Sequence, residues 1–309
     1  MNKYSLIFPG QGSQSIGMMN DFNNHPLIKS TFDEASKILN VDFWKMVTEP
    51  NEDIHQTIHT QPILLASGIA TWRLWQSKID QLPSYLAGHS LGEYSALVAS
   101  EAIEFKDALK LVKYRAEVMQ KAVPEGVGAM AAILGMSDHE VISACKDAQE
   151  NEVVEAVNFN SPGQVVIAGN VLAVERAIDI AKSRGAKRAV LLPVSVPSHC
   201  SLMQNASDAL REYLSHTAIK KPKIPVIHNV DVIEHHDADT IKDALAKQLC
   251  HPVRWVETIN KIVFNKISYI AECGPGKVLT GLTKRITTDL QTTALANENA
   301  IDEFKILIQ

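Results

Sequence analysis

The chain has 309 residues, 46% hydrophobic and 21% charged, with 30 basic against 35 acidic side chains and a formal net charge of −5. That balance argues against a generally basic nucleic-acid binder or a polybasic membrane protein, and the length suits about two domains, or one large domain with an insert. Cys145, Cys200, Cys250 and Cys273 form no CxxC pair or zinc spacing, the first apolar stretch is too short for a secretory signal, and no run approaches the roughly 18 apolar residues of a membrane helix. The expectation is a soluble, cytoplasmic α/β protein.

In chain order, Tyr4 to Phe8 reads as a short buried strand stopped by Pro9-Gly10, and Gln11 to Gly17 as a loop. Thr31 to Ile38 and Pro62 to Ser77 carry helical spacing, with Pro62 suited to a first helical turn. Tyr85-Leu86-Ala87 is a brief strand that runs into Gly88-His89-Ser90-Leu91-Gly92, and a helix follows from Glu93 to Ser100. Lys106 to Gln120 is amphipathic and ends before Pro124 and Gly126. Next come a strand (Gly128 to Leu134), a helix opened by the capping-box pattern Ser137-Asp138-His139-Glu140, and a strand (Val153 to Phe159). A turn at Ser161-Pro162-Gly163 leads to a strand (Gln164 to Ala168), a helix (Val171 to Ser183) and a strand (Lys187 to Val194). The order β-α-β-β-α-β is that of a ferredoxin-like unit, so residues 127–194 read as a small insert in a discontinuous α/β body of residues 1–126 and 195–309. In the second half of that body, Ser201 to Leu214, Ile241 to Gln248 and Val256 to Val263 read as helices, Ile224 to Asn229 and Ile267 to Glu272 as strands, and a helix resumes near Val278. Such alternation predicts a mainly parallel sheet covered by helices.

Gly88-His89-Ser90-Leu91-Gly92 fits G-x-S-x-G between a strand and a helix. A tight strand-to-helix turn exposes a serine hydroxyl at a helix N-terminus, where the dipole and free N–H groups favour negative charge. Ser90 is therefore the candidate nucleophile, with the Leu91 N–H placed to donate to an oxyanion. Among 11 histidines, His199 stands out because it lies at a strand end, after Val196-Pro197-Ser198 and before a helix. His89 reads as a packing residue of the turn, His25, His55, His59 and His216 as surface groups, and His235-His236-Asp237 as a solvated loop. Between Ser90 and His199 the aspartates are Asp107, Asp138, Asp147 and Asp179. None is a convincing third member, and a carbonyl could orient the histidine instead. On composition alone Arg115 reads as a helix-surface cation beside Glu117 or Glu101.

Several segments together resemble the malonyl-CoA:acyl carrier protein transacylases over essentially the whole chain. They are Phe8-Pro9-Gly10-Gln11-Gly12-Ser13-Gln14, Gly88 to Tyr94, the region around Arg115, Asn158 to Gln164, Val196-Pro197-Ser198-His199 and Gly274-Pro275-Gly276. The resemblance implies an α/β-hydrolase-like large subdomain with a ferredoxin-like small one. It also implies Ser90 as nucleophile, His199 as base and acid, and the N–H groups of Gln11 and Leu91 as oxyanion hole. The Gln248 carbonyl would orient His199, Arg115 would pair with the free malonyl carboxylate, and Asn158 and Asn160 would face the cleft. Malonyl-CoA and acyl carrier protein are the implied partners, and coenzyme A thioester is a substrate, so no cofactor or metal is called for. A monomer is the default, and candidate cations for an acidic carrier are Lys182, Arg184, Lys187 and Arg188, or Lys284 and Arg285. The turn alone also suits a serine esterase or thioesterase, since transfer and hydrolysis share the acyl-enzyme, and a non-catalytic carrier-binding module is the other alternative.

Overall fold

The computed structural model describes residues 2–22, 25–194 and 196–309. Ser195, at the expected subdomain boundary, lies outside the described residues. The strands are β1 (Tyr4–Phe8), β2 (Tyr85–Gly88), β3 (Gly128–Leu134), β4 (Val154–Ser161), β5 (Gln164–Asn170), β6 (Arg188–Leu191), β7 (Val226–Ile227), β8 (Tyr269–Glu272) and β9 (Gln291–Ala294). They form a parallel sheet of order β7-β2-β1-β8-β9 and an antiparallel sheet of order β4-β5-β3-β6. The second sheet carries its helices (Asp138–Ala148 and Val171–Ser183) in the ferredoxin-like order.

Sequence explains the centre of the first sheet. Every residue of β1 is buried, as a strand covered by helices on both faces must be. Phe8 pairs with Gly88 and Ile7 with Glu272, so β1, β2 and β8 end at one level. Because the strands are parallel, the loops that follow them open on the same edge, the usual ligand edge of such sheets. Two cores flank this sheet, one around the long helix Thr57–Lys78 and one around Trp255, while Val165, Ile167 and Val174 anchor a third beneath the antiparallel sheet. The capping box forms as read: the Ser137 Oγ accepts from the Glu140 N–H and the Glu140 carboxylate accepts from the Ser137 N–H.

The elements differ from expectation at several places. The second helix begins at Thr57, not at Pro62, so Pro62 sits inside it. The turns before the proline hold because Thr60 Oγ1 donates to the carbonyls of Ile54 and Gln56 at 2.7 and 3.0 Å, contacts that no periodicity reveals. β7 is only two residues long, because His228 and Asn229 leave the sheet to bind elsewhere. β6 stops at Leu191, and the first turn after Ser201 is a 3₁₀ helix (Ser201–Met203). The helix Phe43–Thr48, the strand β9 and the helix Glu298–Ile308 add elements beyond those expected. Among the described residues no helix is long and apolar enough to cross a membrane.

Candidate active site

Glycine makes the turn after β2 possible. A Cβ on Gly88 would lie 1.9 Å from the Gly92 carbonyl carbon, and one on Gly92 would lie 2.0 Å from the Phe8 oxygen. Backbones therefore touch where side chains would stand, and the loop after β1 is pressed against the turn after β2. Ser90 sits at the apex with φ +52°, a left-handed conformation kept only where surroundings over-determine it. Asn229 supplies that restraint: its Oδ1 accepts from the Ser90 N–H at 2.7 Å, and its Nδ2 donates to the Gly88 carbonyl at 2.7 Å.

Ser90 Oγ lies 2.8 Å from His199 Nε2, and His199 Nδ1 lies 2.7 Å from the Gln248 carbonyl oxygen. A carbonyl only accepts, so Nδ1 carries the proton and Nε2 presents a lone pair to the serine hydroxyl. His199 is 3% exposed. Burial, aided by the positive charge of Arg115, pushes its pKa down to about 3. Its own backbone is left-handed (φ +68°) and is held by the His199 N–H donating to the Leu249 carbonyl at 2.9 Å.

Arg115 is 2% exposed, against its reading as a surface cation, and lies within the site. Its Nη1 donates to Gln61 Oε1 at 2.9 Å, and its Nη2 to Gln248 Oε1 at 3.0 Å and Ser90 Oγ at 3.2 Å. The guanidinium also stands 5.4 Å over the Tyr94 ring, a favourable cation–π placement. All three acceptors are neutral. Among the described residues Arg115 makes no ion pair, and its buried Nε has no partner. An elongated buried cation with a spare donor, beside a nucleophile, suits a substrate carboxylate.

Gln11, Leu91, Ser90, Arg115 and His199 line one cleft of about 280 Å³. Leu91 caps the helix Gly92–Ala99, whose first N–H groups close the turn: Gly92 donates to the His89 carbonyl at 2.9 Å and Glu93 to the Ser90 carbonyl at 3.1 Å. Gln11 lies on the loop after β1 and its side chain donates to Thr57 Oγ1 at 3.3 Å. Asn158 and Asn160 line the opposite wall. Asn160 Oδ1 lies 2.8 Å from His89 Nε2, so β4 is tied to the serine turn. Asn158 forms a parallel bridge with Val253, close behind Gln248. His89 packs against Trp255, as its reading as a turn-packing group expects, and burial pushes its pKa down. Of the candidate surface cations, Arg184 pairs with Asp147, Lys182 approaches Asp179 at 3.9 Å, and Arg285 donates to Gln164 across the two sheets.

Sequence reasoning missed the layer behind the pair: Gln61, Glu93, His228 and Asn229. Glu93 and His228 are fully buried, with His228 Nδ1 2.7 Å from Glu93 Oε1. One signal was available, because Glu93 is the one charged residue of a helix otherwise made of Gly, Tyr, Ser, Ala, Leu and Val. Such a carboxylate needs a buried partner. No pattern announces His228 or Asn229, which arrive from about 135 residues away.

The profile of the acyl transferase domain family matches residues 5–293, and the chain belongs to the acyl transferase family. Within it, the chain is 51% identical over 312 residues to the malonyl CoA-acyl carrier protein transacylase of Haemophilus influenzae, covering 99% of this chain and 100% of that one. The solved malonyl CoA-acyl carrier protein transacylase from Coxiella burnetii superposes with a TM-score of 0.97 at 45% identity, covering 100% of this chain and 98% of that one. A malonyl-transacylase in complex with its type II PKS acyl-carrier protein superposes with a TM-score of 0.96 at 48% identity, covering 98% and 99%.

Proposed function

We propose that the chain transfers a malonyl group from malonyl-CoA to the phosphopantetheine thiol of acyl carrier protein, through a malonyl ester on Ser90. The carrying observation is the chain of contacts Ser90–His199–Gln248 carbonyl beside the buried, ion-unpaired Arg115. His199 Nε2 takes the hydroxyl proton as Ser90 Oγ attacks the thioester carbonyl. The oxyanion rests on the N–H groups of Gln11 and Leu91, each such donor being worth about 3 kcal/mol. The intermediate collapses, the C–S bond breaks, and His199 returns its proton to the departing coenzyme A sulfur. The carrier thiol then gives its proton to His199 and attacks the ester; Ser90 regains its proton as the malonyl thioester leaves. Arg115 binds the free malonyl carboxylate throughout, and acetyl leaves that cation unpaired, a difference of about 1–3 kcal/mol. The chemistry calls for no metal or redox cofactor, and we place it in the cytoplasm.

We also read residues 127–194 as a small subdomain inserted in a large one of residues 1–126 and 195–309, with Asn158 and Asn160 its contribution to the cleft. Intact-mass measurement tests the reaction. Wild type mixed with malonyl-CoA is expected to gain one malonyl adduct that moves to added carrier protein. Ser90→Ala should gain none, and Arg115→Ala should load malonyl at least about tenfold less well relative to acetyl. An adduct lost to water without reaching the carrier would make the protein a hydrolase, and a labelled Ser90→Ala would remove the nucleophile assignment.

A further inference from the structure

The buried layer behind the catalytic pair holds a second charge that the transfer reaction does not use. Glu93 is fully buried. Its Oε1 accepts from His228 Nδ1 at 2.7 Å, and its Oε2 from the Asn229 N–H at 3.0 Å and Gln248 Nε2 at 2.9 Å. The other hydrogen of that amide goes to the Ser90 carbonyl at 3.0 Å. With both amide hydrogens so engaged, Gln248 Oε1 faces Arg115, which donates to it at 3.0 Å. The reverse amide orientation would set lone pairs against a carboxylate and a carbonyl, and NH₂ against a guanidinium.

The result is a buried cation and a buried anion separated by one neutral amide. A contact ion pair would satisfy Arg115 internally, and a substrate carboxylate would have to displace it. A lone Arg115 would grip any carboxylate without relief, since an uncompensated buried charge is strongly unfavourable. The interposed Gln248 gives an intermediate condition. Burial lowers the Arg115 pKa, while the Glu93 charge is among the influences opposing that shift. Glu93 itself is prevented from swinging to Arg115 by its three donors.

We propose that Glu93 is a specificity-determining positioning residue: its carboxylate, held one side-chain amide away, sets how tightly Arg115 captures the free carboxylate of the acyl group. This rests on the malonyl-transfer reading above. It makes the strength of capture a monotonic function of how near the internal negative charge lies to Arg115. Glu93→Gln removes the charge with little change in shape. Its oxygen can still accept from Asn229 and Gln248, and its NH₂ can donate to His228 Nδ1 in the other tautomer. Gln248→Glu instead brings a carboxyl group into contact with Arg115 while keeping the main-chain carbonyl that holds His199; its second oxygen faces Glu93 and the Ser90 carbonyl, so the two carboxyl groups share one proton and the single negative charge is drawn toward Arg115. The double variant Glu93→Gln/Gln248→Glu has the wild-type charge in the contact position.

The test is the rate of acyl-enzyme formation from malonyl-CoA and from acetyl-CoA, measured by acid quench and intact mass on the full chain. The malonyl-to-acetyl ratio is expected to rise at least about fivefold in Glu93→Gln and to fall at least about tenfold in Gln248→Glu. The double variant should behave like Gln248→Glu. If Glu93→Gln does not fold, Gln248→Glu alone still decides: a malonyl-to-acetyl ratio equal to that of the wild type overturns the proposal. Loss of both acyl donors in parallel, with the ratio unchanged, would make Glu93 merely structural and overturn the proposal. So would a double variant restored to the wild-type ratio, because position would then not matter. A wild type that loads no malonyl removes the transfer reading and this inference with it, whereas a wild type that loads malonyl with insensitive variants removes the inference alone.

Discussion

At the scale of single residues, burial decides the chemistry more than residue type does. His199 has its pKa pushed from 6.5 to about 3 by burial first and by Arg115 second. Above pH 6.5 the side chain is neutral in both folded and unfolded chains. Below it, the unfolded chain binds a proton that the folded one refuses, so stability falls by about 1.4 kcal/mol per pH unit until the folded pKa is reached. Denaturant midpoints measured between pH 7 and pH 5 should show this loss, and His199→Gln should remove that part of the slope. The same shift keeps the base unprotonated, so acyl-enzyme formation should show no histidine titration near pH 6.5; an inflection there would mean that His199 is solvated in solution. Ser90 and His199, which the fold brings to 2.8 Å of one another, were legible because they sit in short local patterns, Gly88 to Gly92 and Val196 to His199. Arg115 was legible only through family resemblance, since its burial depends on Gln61, Tyr94 and Gln248, each on a different segment. Glu93 and His228 were not legible at all as a pair, because the contact is made only when β7 is laid beside β2.

At the scale of elements, the helices that were read well are those with local signals. Val171–Ser183 and Val278–Ile286 begin where periodicity places them. Asp138–Ala148 begins at its capping box. Because that cap is exposed and neither Ser137 nor Glu140 lines the cleft, Ser137→Ala should cost about 1 kcal/mol, seen as a lower thermal midpoint with unchanged acyl-enzyme formation. Activity falling with stability would instead tie this helix to the site. The misread elements lacked local signals. Pro62 pulled the expected start of its helix five residues too late, because Thr60 and Gln61 are buried by tertiary contacts rather than by apolarity. β9 (Gln-Thr-Thr-Ala) has no alternating apolar face, and exists because β8 offers it a parallel edge. The two-residue β7 illustrates the converse: an apolar run read as a longer strand gives up its end to the buried layer beneath Ser90.

At the scale of the molecule, two sheets with separate cores share one cleft. Ile167 is 1% exposed in the core of the antiparallel sheet, so Ile167→Ala should cost about 2–5 kcal/mol. If residues 127–194 are a unit of their own, amide exchange should quicken across β3 to β6 before it quickens in β1, β2 and β8; a uniform increase would merge the two into one cooperative body. Their connectivity has a further consequence for how the protein is made. All four antiparallel strands lie between residues 128 and 191, so this sheet can assemble as soon as that stretch leaves the ribosome. The parallel sheet cannot. Its middle strand is β1, near the start of the chain, flanked by β2 and by β8, which ends at residue 272. During synthesis β1 can pair on one side while its other edge, a row of unpaired N–H and C=O groups on a strand that the finished fold buries throughout, waits until β8 has been translated. Long-range parallel pairing is slow and exposes edges to aggregation. Slowed elongation beyond residue 191 would lengthen that wait, and chaperone dependence of this protein should track it.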